Sequence, residues 1–173
     1  MPRRDSLHTD QIYHVFNRSI AGYVIFSNSH EYSHMVQTLR HYQSSLTPGK
    51  FSDHIHANTL CLSNKARQQP SIKPVNLIAY CLMPTHFHLI VKQAADNGIT
   101  RFMANVQNSY ARYFNIKHTR KGPLWEGRFK NVLVKTDEQL LHLTRYIHLN
   151  PVTANLVSSP EDWVFSSYAE YTK

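Results

Sequence analysis

Two apolar segments separated by only two residues constrain the fold of this chain more than any other feature. The first is Val75–Met83 and the second covers residues 86–92, with Pro84-Thr85 between them. Both segments have the length and apolar content of buried strands, and Pro84-Thr85 suits a tight connection. The sequence therefore predicts a β-hairpin here.

Further strands and helices alternate around this hairpin. Residues 12–16 alternate β-branched or aromatic side chains and predict a first strand, and residues 128–134 predict a last one. Apolar residues at helical spacing predict helices over 30–42, 99–116 and 137–150. The order β, α, β, β, α, β, α mixes hairpins with crossovers. It predicts an α+β fold, with helices packed on a mainly antiparallel sheet.

A polar stretch interrupts this pattern at about residues 44–73. It contains Pro48-Gly49 and ends in Arg, Gln and Pro residues, without a long apolar run. The chain of 173 residues is close to the length of one domain. We therefore expect a single domain over residues 1–173 with one exposed, polar insertion at about 44–73.

Composition excludes several classes of protein. No apolar run approaches the ~18 residues of a membrane-spanning helix, and the first residues do not resemble a secretory signal. Cys61 and Cys81 are too few for a disulfide scaffold or a four-cysteine metal site. No glycine-rich nucleotide-binding loop occurs. We expect a cytoplasmic protein with free thiols and no nucleotide cofactor.

The charge balance favours a polyanionic partner. Nineteen Lys and Arg residues against eleven Asp and Glu residues give a net charge of +8. Such an excess is typical of proteins that bind nucleic acid. The alternative is a protein that is basic without any such partner.

His86 and His88 flank Phe87 within the second strand of the hairpin. Side chains two apart in a strand project from the same face, so both imidazoles can ligate one divalent metal. With twelve histidines in the chain, such a pair also arises by chance, and the alternative is two hydrogen-bonded histidines on a half-buried face. A second pair, His54 and His56, lies in the polar insertion without an apolar strand around it. We expect that second pair to have no such function.

Tyr146 and Asn150 share one face of the last predicted helix. They are four residues apart and lie beside its apolar stripe. Thr136 or Asp137 is expected to cap this helix, and Pro151 to end it. If the helix packs on the sheet near the histidines, Tyr146 can act as a nucleophile and Asn150 as a neutral metal ligand. The alternative is that both residues only pack.

Cations and aromatic residues interleave between residues 112 and 130. Cations neutralise phosphates, and aromatic rings stack on unpaired bases. The alternative is a solvated turn with a core tryptophan. The nucleic-acid-binding residues we expect here are Arg112, Lys117, Arg120, Lys121, Trp125, Arg128 and Lys130.

Together these segments resemble the REP-associated tyrosine transposases, IS200-like members of the HUH single-strand transposase superfamily. The resemblance is carried by YHVFNR at 13–18, MPTHFHLI at 83–90, GPLWEGRF at 122–129, YIHLNPV at 146–152 and DWVFSSY at 162–168. It runs through nearly the whole chain in the right order. It implies an RRM-like or ferredoxin-like antiparallel sheet with helices packed on it.

The resemblance also implies roles for the candidate residues. His86, His88 and Asn150 match the divalent-metal ligands, with Mg²⁺ or Mn²⁺ expected, and Tyr146 matches the tyrosine that attacks a DNA phosphate. The implied substrate is a palindromic hairpin with a single-stranded flank, cleaved and rejoined through a 5′-phosphotyrosine. A nucleoid-associated protein is implied, with a monomer favoured and a dimer left open. Thr85 departs from the family, in which many members carry Asn there.

Two other functions remain open at this stage. The first is a non-catalytic RRM-like module that binds nucleic acid, which accounts for the charge and the aromatic residues. The second is a zinc-dependent hydrolase in which a third histidine, such as His14, completes the metal site and water is the nucleophile.

Overall fold

The computed structural model describes residues 6–46, 49–53, 55 and 72–172. Its strands are β1 (Ile12–Arg18), β2 (Val75–Met83), β3 (His86–Gln93) and β4 (Lys130–Val134). Its main helices are α1 (Ser29–Gln43), α2 (Gly98–Lys117) and α3 (Asp137–Thr153), followed by the short α4 (Tyr168–Tyr171). Most of the predicted insertion, with His54, His56 and Cys61, lies outside the described residues.

The four strands form one antiparallel sheet in the order β2-β3-β1-β4. The predicted hairpin is β2-β3, and it places β3 beside β1 in the middle of the sheet. In the β1–β3 register, Phe16 lies opposite His88 and Arg18 opposite His86. This α+β architecture confirms the predicted fold class.

Strand alternation divides the side chains between two faces of the sheet. On one face Tyr13, Val15, Phe87 and Leu89 are fully buried in the main core beneath α1 and α2. On the other face Ile90 and its neighbours form a smaller core with Ile147 of α3. His14, His86 and His88 belong to this second face, so α3 is the helix that can bring side chains to them.

The C-terminal segment covers the outer edge of β2. The Leu82 amide donates to the Phe165 carbonyl at 3.1 Å, and the Ser167 amide donates to the Tyr80 carbonyl at 3.0 Å. The Trp163 indole also donates to the Leu82 carbonyl. These bonds satisfy backbone groups that an exposed edge strand leaves unpaired.

Helix α3 begins as predicted but ends later. The Thr136 hydroxyl accepts from the Gln139 amide and caps it. The predicted end at Asn150 is wrong, because α3 continues to Thr153 with Pro151 inside. Pro151 lacks the amide that would donate to the Ile147 carbonyl, and the helix continues past this one missing hydrogen bond. The last turn is closed by the Ala154 amide on the Asn150 carbonyl and the Leu156 amide on the Pro151 carbonyl.

Strand β4 is shorter than predicted, starting at Lys130 and not at Arg128. Phe129 just before it is buried in the main core. No helix in the described ranges is both long enough and apolar enough to cross a membrane.

Candidate active site

The two imidazoles of β3 project side by side from the α3 face of the sheet. The ring centroids of His86 and His88 are 5.1 Å apart, and the rings meet edge-on. Phe87 between them packs against Trp125 in the opposite core. Two ligands about 2.1 Å from one ion have rings at a separation of this order, so the pair is suitably spaced for one divalent cation.

Each of these imidazoles has its Nδ1 atom engaged. Nδ1 of His86 lies 3.1 Å from the Thr85 hydroxyl oxygen, and Nδ1 of His88 lies 3.0 Å from Nε2 of His14. Neither Nε2 atom has a hydrogen-bond partner within the described part of the chain. Thr85 therefore provides this chain's contact to Nδ1 of His86. The Nε2 atoms remain available to a ligand.

Burial favours the neutral form of all three histidines. It lowers the pKa of His88 to about 3, with the neighbouring His14 and His86 contributing, and the pKa of His14 to about 4. Burial, and then the charge of Arg18, also lowers the pKa of His86. Neutral imidazole is the form that ligates metals.

Tyr146 faces the histidines from α3. Its ring lies edge-on to His88, with centroids 6.0 Å apart, and 53% of its surface is exposed. Tyr146, His86 and His88 line one cavity of about 640 Å³, to which Arg18 and Lys130 also contribute. A phenol, two imidazoles and two cations thus meet in a single open site.

Asn150 lies one helical turn after Tyr146. It is partly buried, does not line this cavity, and its Nδ2 atom is buried without a hydrogen-bond partner. A buried polar atom without a partner costs about 1–3 kcal/mol. Rotation of the amide exchanges its nitrogen and oxygen, so this position can present an oxygen to a cation. The donor set of two neutral imidazoles and a carboxamide fits a divalent metal.

A site of three or more His, Cys, Asp or Glu ligands is absent from the described ranges. His14, the third histidine considered for a zinc hydrolase, directs its Nε2 atom at His88. It therefore lies behind one of the histidines of the pair.

Arg18 is a site residue for which the sequence alone suggested no role. It is the last residue of β1, and its guanidinium binds the Glu126 carboxylate through two nitrogens. Both side chains are largely exposed and line the cavity. The pairing joins residues 108 positions apart, which no local pattern reveals.

The predicted basic segment does not form one surface. Lys117 donates to the Glu31 carboxylate at 2.9 Å, and Arg120 donates to the Pro123 carbonyl at 2.7 Å. The Trp125 indole donates to the Gln107 carbonyl under the loop. These three residues have structural partners within the chain.

The other predicted DNA contacts lie in different places. Lys130 lines the histidine cavity, and Lys121 and Arg128 are exposed. Arg112 and Lys117 instead line a separate cavity of about 490 Å³ in the α1–α2 layer, on the other face of the sheet. Among the predicted cations, only Lys130 lines the cavity that contains the histidine pair.

Comparison with known proteins agrees with this architecture. The family model described as "Transposase IS200 like" matches residues 41–150, which is more than half of the chain. The chain belongs to the IS200-like transposase family.

The relatives are distant in sequence. A Haemophilus influenzae protein provisionally named as a REP-associated tyrosine transposase is 28% identical over 106 residues. That match spans 55% of this chain and 60% of the relative. The solved structure of a REP-associated tyrosine transposase bound to a REP hairpin has a TM-score of 0.61 at 17% identity. The matched region covers 98% of this chain and 84% of the chain in that structure. At 17% identity, the similarity shows a shared fold.

Proposed function

We propose that this chain is a single-stranded DNA endonuclease and strand transferase. It binds palindromic hairpin DNA and cleaves and rejoins it through a 5′-phosphotyrosine intermediate, with a divalent metal. The observation that carries the proposal is the shared cavity of Tyr146, His86 and His88. Family membership supports it, and the structural relative was solved with a REP hairpin bound.

The metal is proposed to be held by His86, His88 and Asn150. When bound, a cation such as Mg²⁺ or Mn²⁺ polarises a phosphate oxygen and stabilises its developing charge. Imidazole ligands favour Mn²⁺ on grounds of softness, whereas phosphate chemistry in an open site is common for Mg²⁺.

Tyr146 is the proposed nucleophile. Its hydroxyl gives its proton to solvent water, and its oxygen bonds to the phosphorus of the scissile phosphodiester. The bond from phosphorus to the 3′ oxygen breaks, and that oxygen takes a proton from water. The products are a 5′-phosphotyrosine and a free 3′-hydroxyl. In the reverse step a 3′-hydroxyl attacks the phosphotyrosine and releases Tyr146. Because the ester retains the phosphodiester's bond energy, joining requires no nucleotide cofactor.

Arg18 and Lys130 are proposed to bind the DNA backbone beside the reacting phosphate. Both line the cavity and both are largely exposed, so DNA can reach them. Arg18 can bind a phosphate through two nitrogens when it exchanges Glu126 for DNA. Arg128 and Lys121 are exposed between α2 and β4 and are proposed as further phosphate contacts.

The domain organisation and the oligomeric state are proposed from the sequence. We propose that residues 1–173 form one catalytic domain with an insertion at about 44–73, and a monomer is favoured over a dimer. It works on DNA in the cytoplasm, at the nucleoid.

A denaturing gel tests the proposal. Single-stranded hairpin DNA with a labelled flank is incubated with the protein and Mn²⁺. The expected result is a shifted, covalent band that protease removes. Binding without this band would favour the RRM-like module, and cleaved DNA without a covalent band would favour a metal-bound water as nucleophile. Either result would overturn the proposed mechanism.

A further inference from the structure

His14 and His88 are diagonal neighbours on adjacent strands. His14 lies opposite Ile90 in the β1–β3 register, and His88 lies opposite Phe16. The two imidazoles therefore share the α3 face of the sheet. Their ring centroids are 5.1 Å apart at an interplanar angle of 21°, and Nε2 of His14 lies 3.0 Å from Nδ1 of His88.

This contact can be made in two ways. A hydrogen bond between neutral imidazoles needs one N–H group and one lone pair. If His88 donates from Nδ1, its lone pair is on Nε2. If His14 donates from Nε2, then His88 carries its hydrogen on Nε2 and cannot ligate a metal through that atom. The direction of the bond therefore decides whether His88 is ready to bind a cation.

We propose that His14 is a positioning residue: its Nε2 atom accepts the hydrogen bond from Nδ1 of His88 and fixes the tautomer with a free lone pair on Nε2 of His88. The inference rests on the proposed metal-assisted function. It gives His14 a role that differs from that of a third ligand, because the nitrogen directed at the site is already engaged by His88.

The surroundings of His14 are consistent with this direction. When Nε2 accepts, Nδ1 of His14 carries the hydrogen and needs an acceptor. His14 lines a second cavity, of about 440 Å³, which Glu138 and Gln139 also line. Water in that cavity can serve as the acceptor.

His86 is held in a similar way. Its Nδ1 atom lies 3.1 Å from the Thr85 hydroxyl, which can accept an N–H bond. Thr85 and His14 thus each engage the Nδ1 atom of one histidine of the pair. Partners that fix the tautomer of metal-binding histidines typically contribute ten- to a hundredfold in metal affinity.

Nitrogen NMR on the metal-free protein without DNA tests the direction of the bond. The full chain is labelled with ¹⁵N at histidine, and the His88 signals are assigned by their loss in His88→Gln. The expected tautomer of His88 carries its hydrogen on Nδ1. In His14→Gln the amide oxygen can accept the same bond, so this tautomer is retained. In His14→Leu no acceptor remains, so the tautomer with hydrogen on Nε2 becomes populated.

A titration with Mn²⁺ alone provides the second readout. His14→Leu is expected to bind Mn²⁺ about tenfold or more weakly than the unmodified protein, and His14→Gln is expected to restore most of that affinity. Hydrogen on Nε2 of His88 in the unmodified protein would overturn the proposal. So would equal losses of affinity in the two variants, which would indicate packing alone.

The NMR measurement separates this inference from the proposed function. The unmodified protein is read without metal or DNA, so the tautomer of His88 is measured independently of cleavage. The protein could show the expected tautomer and the rescue by His14→Gln but form no covalent adduct with DNA. That result would support the role of His14 and overturn the phosphotyrosine mechanism.

Discussion

Tyr146 approaches His88 edge-on, with the two ring centroids 6.0 Å apart. The two residues come from different elements, α3 and β3, and the helix packs on the sheet through Ile147. Within the described part of the chain, the Tyr146 hydroxyl has no hydrogen-bond partner. The phenol therefore lies beside the histidine pair without a structural role for its oxygen.

Replacing Tyr146 by Phe should abolish the covalent adduct with DNA but leave stability and DNA binding nearly unchanged. The change removes one oxygen from a half-exposed ring, so packing and stability should be nearly unchanged. DNA binding should also be retained, because it depends on cations and stacking. A gel-shift assay measures binding, and a denaturing gel with hairpin DNA and Mn²⁺ measures the adduct.

Tyr23→Phe is the matched control, because Tyr23 has the same exposed fraction as Tyr146, 53%. This variant should form the adduct normally. Tyr110→Phe should also form it, at some cost in stability, since the buried Tyr110 hydroxyl donates to the Ile25 carbonyl at 2.6 Å. A normal adduct from Tyr146→Phe would mean that another group is the nucleophile.

Replacing His86 or His88 by Ala should abolish cleavage while DNA binding stays within a few-fold of the unmodified protein. Each change removes a proposed metal ligand but no cation that neutralises phosphate. Chelator should inhibit the unmodified protein in the same way, and added Mn²⁺ should restore it. His30→Ala, at an exposed position in α1, should behave as the unmodified protein. Full cleavage by His88→Ala in chelator would exclude a metal held by this pair.

The local part of the fold is predictable from the sequence. The apolar runs around Pro84-Thr85 define the β2-β3 hairpin, and strand alternation places His86 and His88 on one face. The helical spacing of Tyr146 and Asn150 likewise needs only the period of a helix. Each of these inferences depends on residues within one element or on a short link.

The partners across the sheet are not predictable in this way. That His14 meets His88 depends on the β1–β3 register, which a period of two does not fix. Lys117 has its carboxylate partner, Glu31, 86 positions away. Counting cations therefore overestimated the basic surface, because the sequence does not reveal which of them are neutralised inside the fold.

Neutralising Arg128 and Lys130 together should weaken DNA binding regardless of sequence and reduce its dependence on salt. Two lost phosphate contacts should lower the slope of log Kd against log salt concentration by about 1.5. The paired control is Lys50→Gln with Arg112→Gln, in the α1–α2 cavity on the other face. That control should leave the slope unchanged. If only the control pair flattens the slope, the DNA crosses the helical layer.

Glu31 is a fully buried carboxylate that joins α1 to the end of α2. It accepts hydrogen bonds from Lys117 at 2.9 Å and from His118 at 2.7 Å, and from both the amide and the hydroxyl of Ser27. Burial alone would raise its pKa, but the hydrogen bonds from Lys117, Ser27 and His118 outweigh burial and lower the pKa to about 2.

Replacing Glu31 by Gln should therefore destabilise the protein in a pH-dependent way. A carboxyl whose pKa falls from 4.5 unfolded to about 2 folded contributes on the order of 3 kcal/mol above pH 4.5, and this is lost as the pH falls towards 2. Gln resembles the protonated carboxyl, so urea unfolding should show a large difference from the unmodified protein at pH 7 and little near pH 2. Glu170→Gln, which breaks the exposed pair with Arg40, should change stability by less than about 1 kcal/mol at pH 7. A Glu31→Gln difference that did not vary with pH would show that shape, and not charge, makes this residue stabilising.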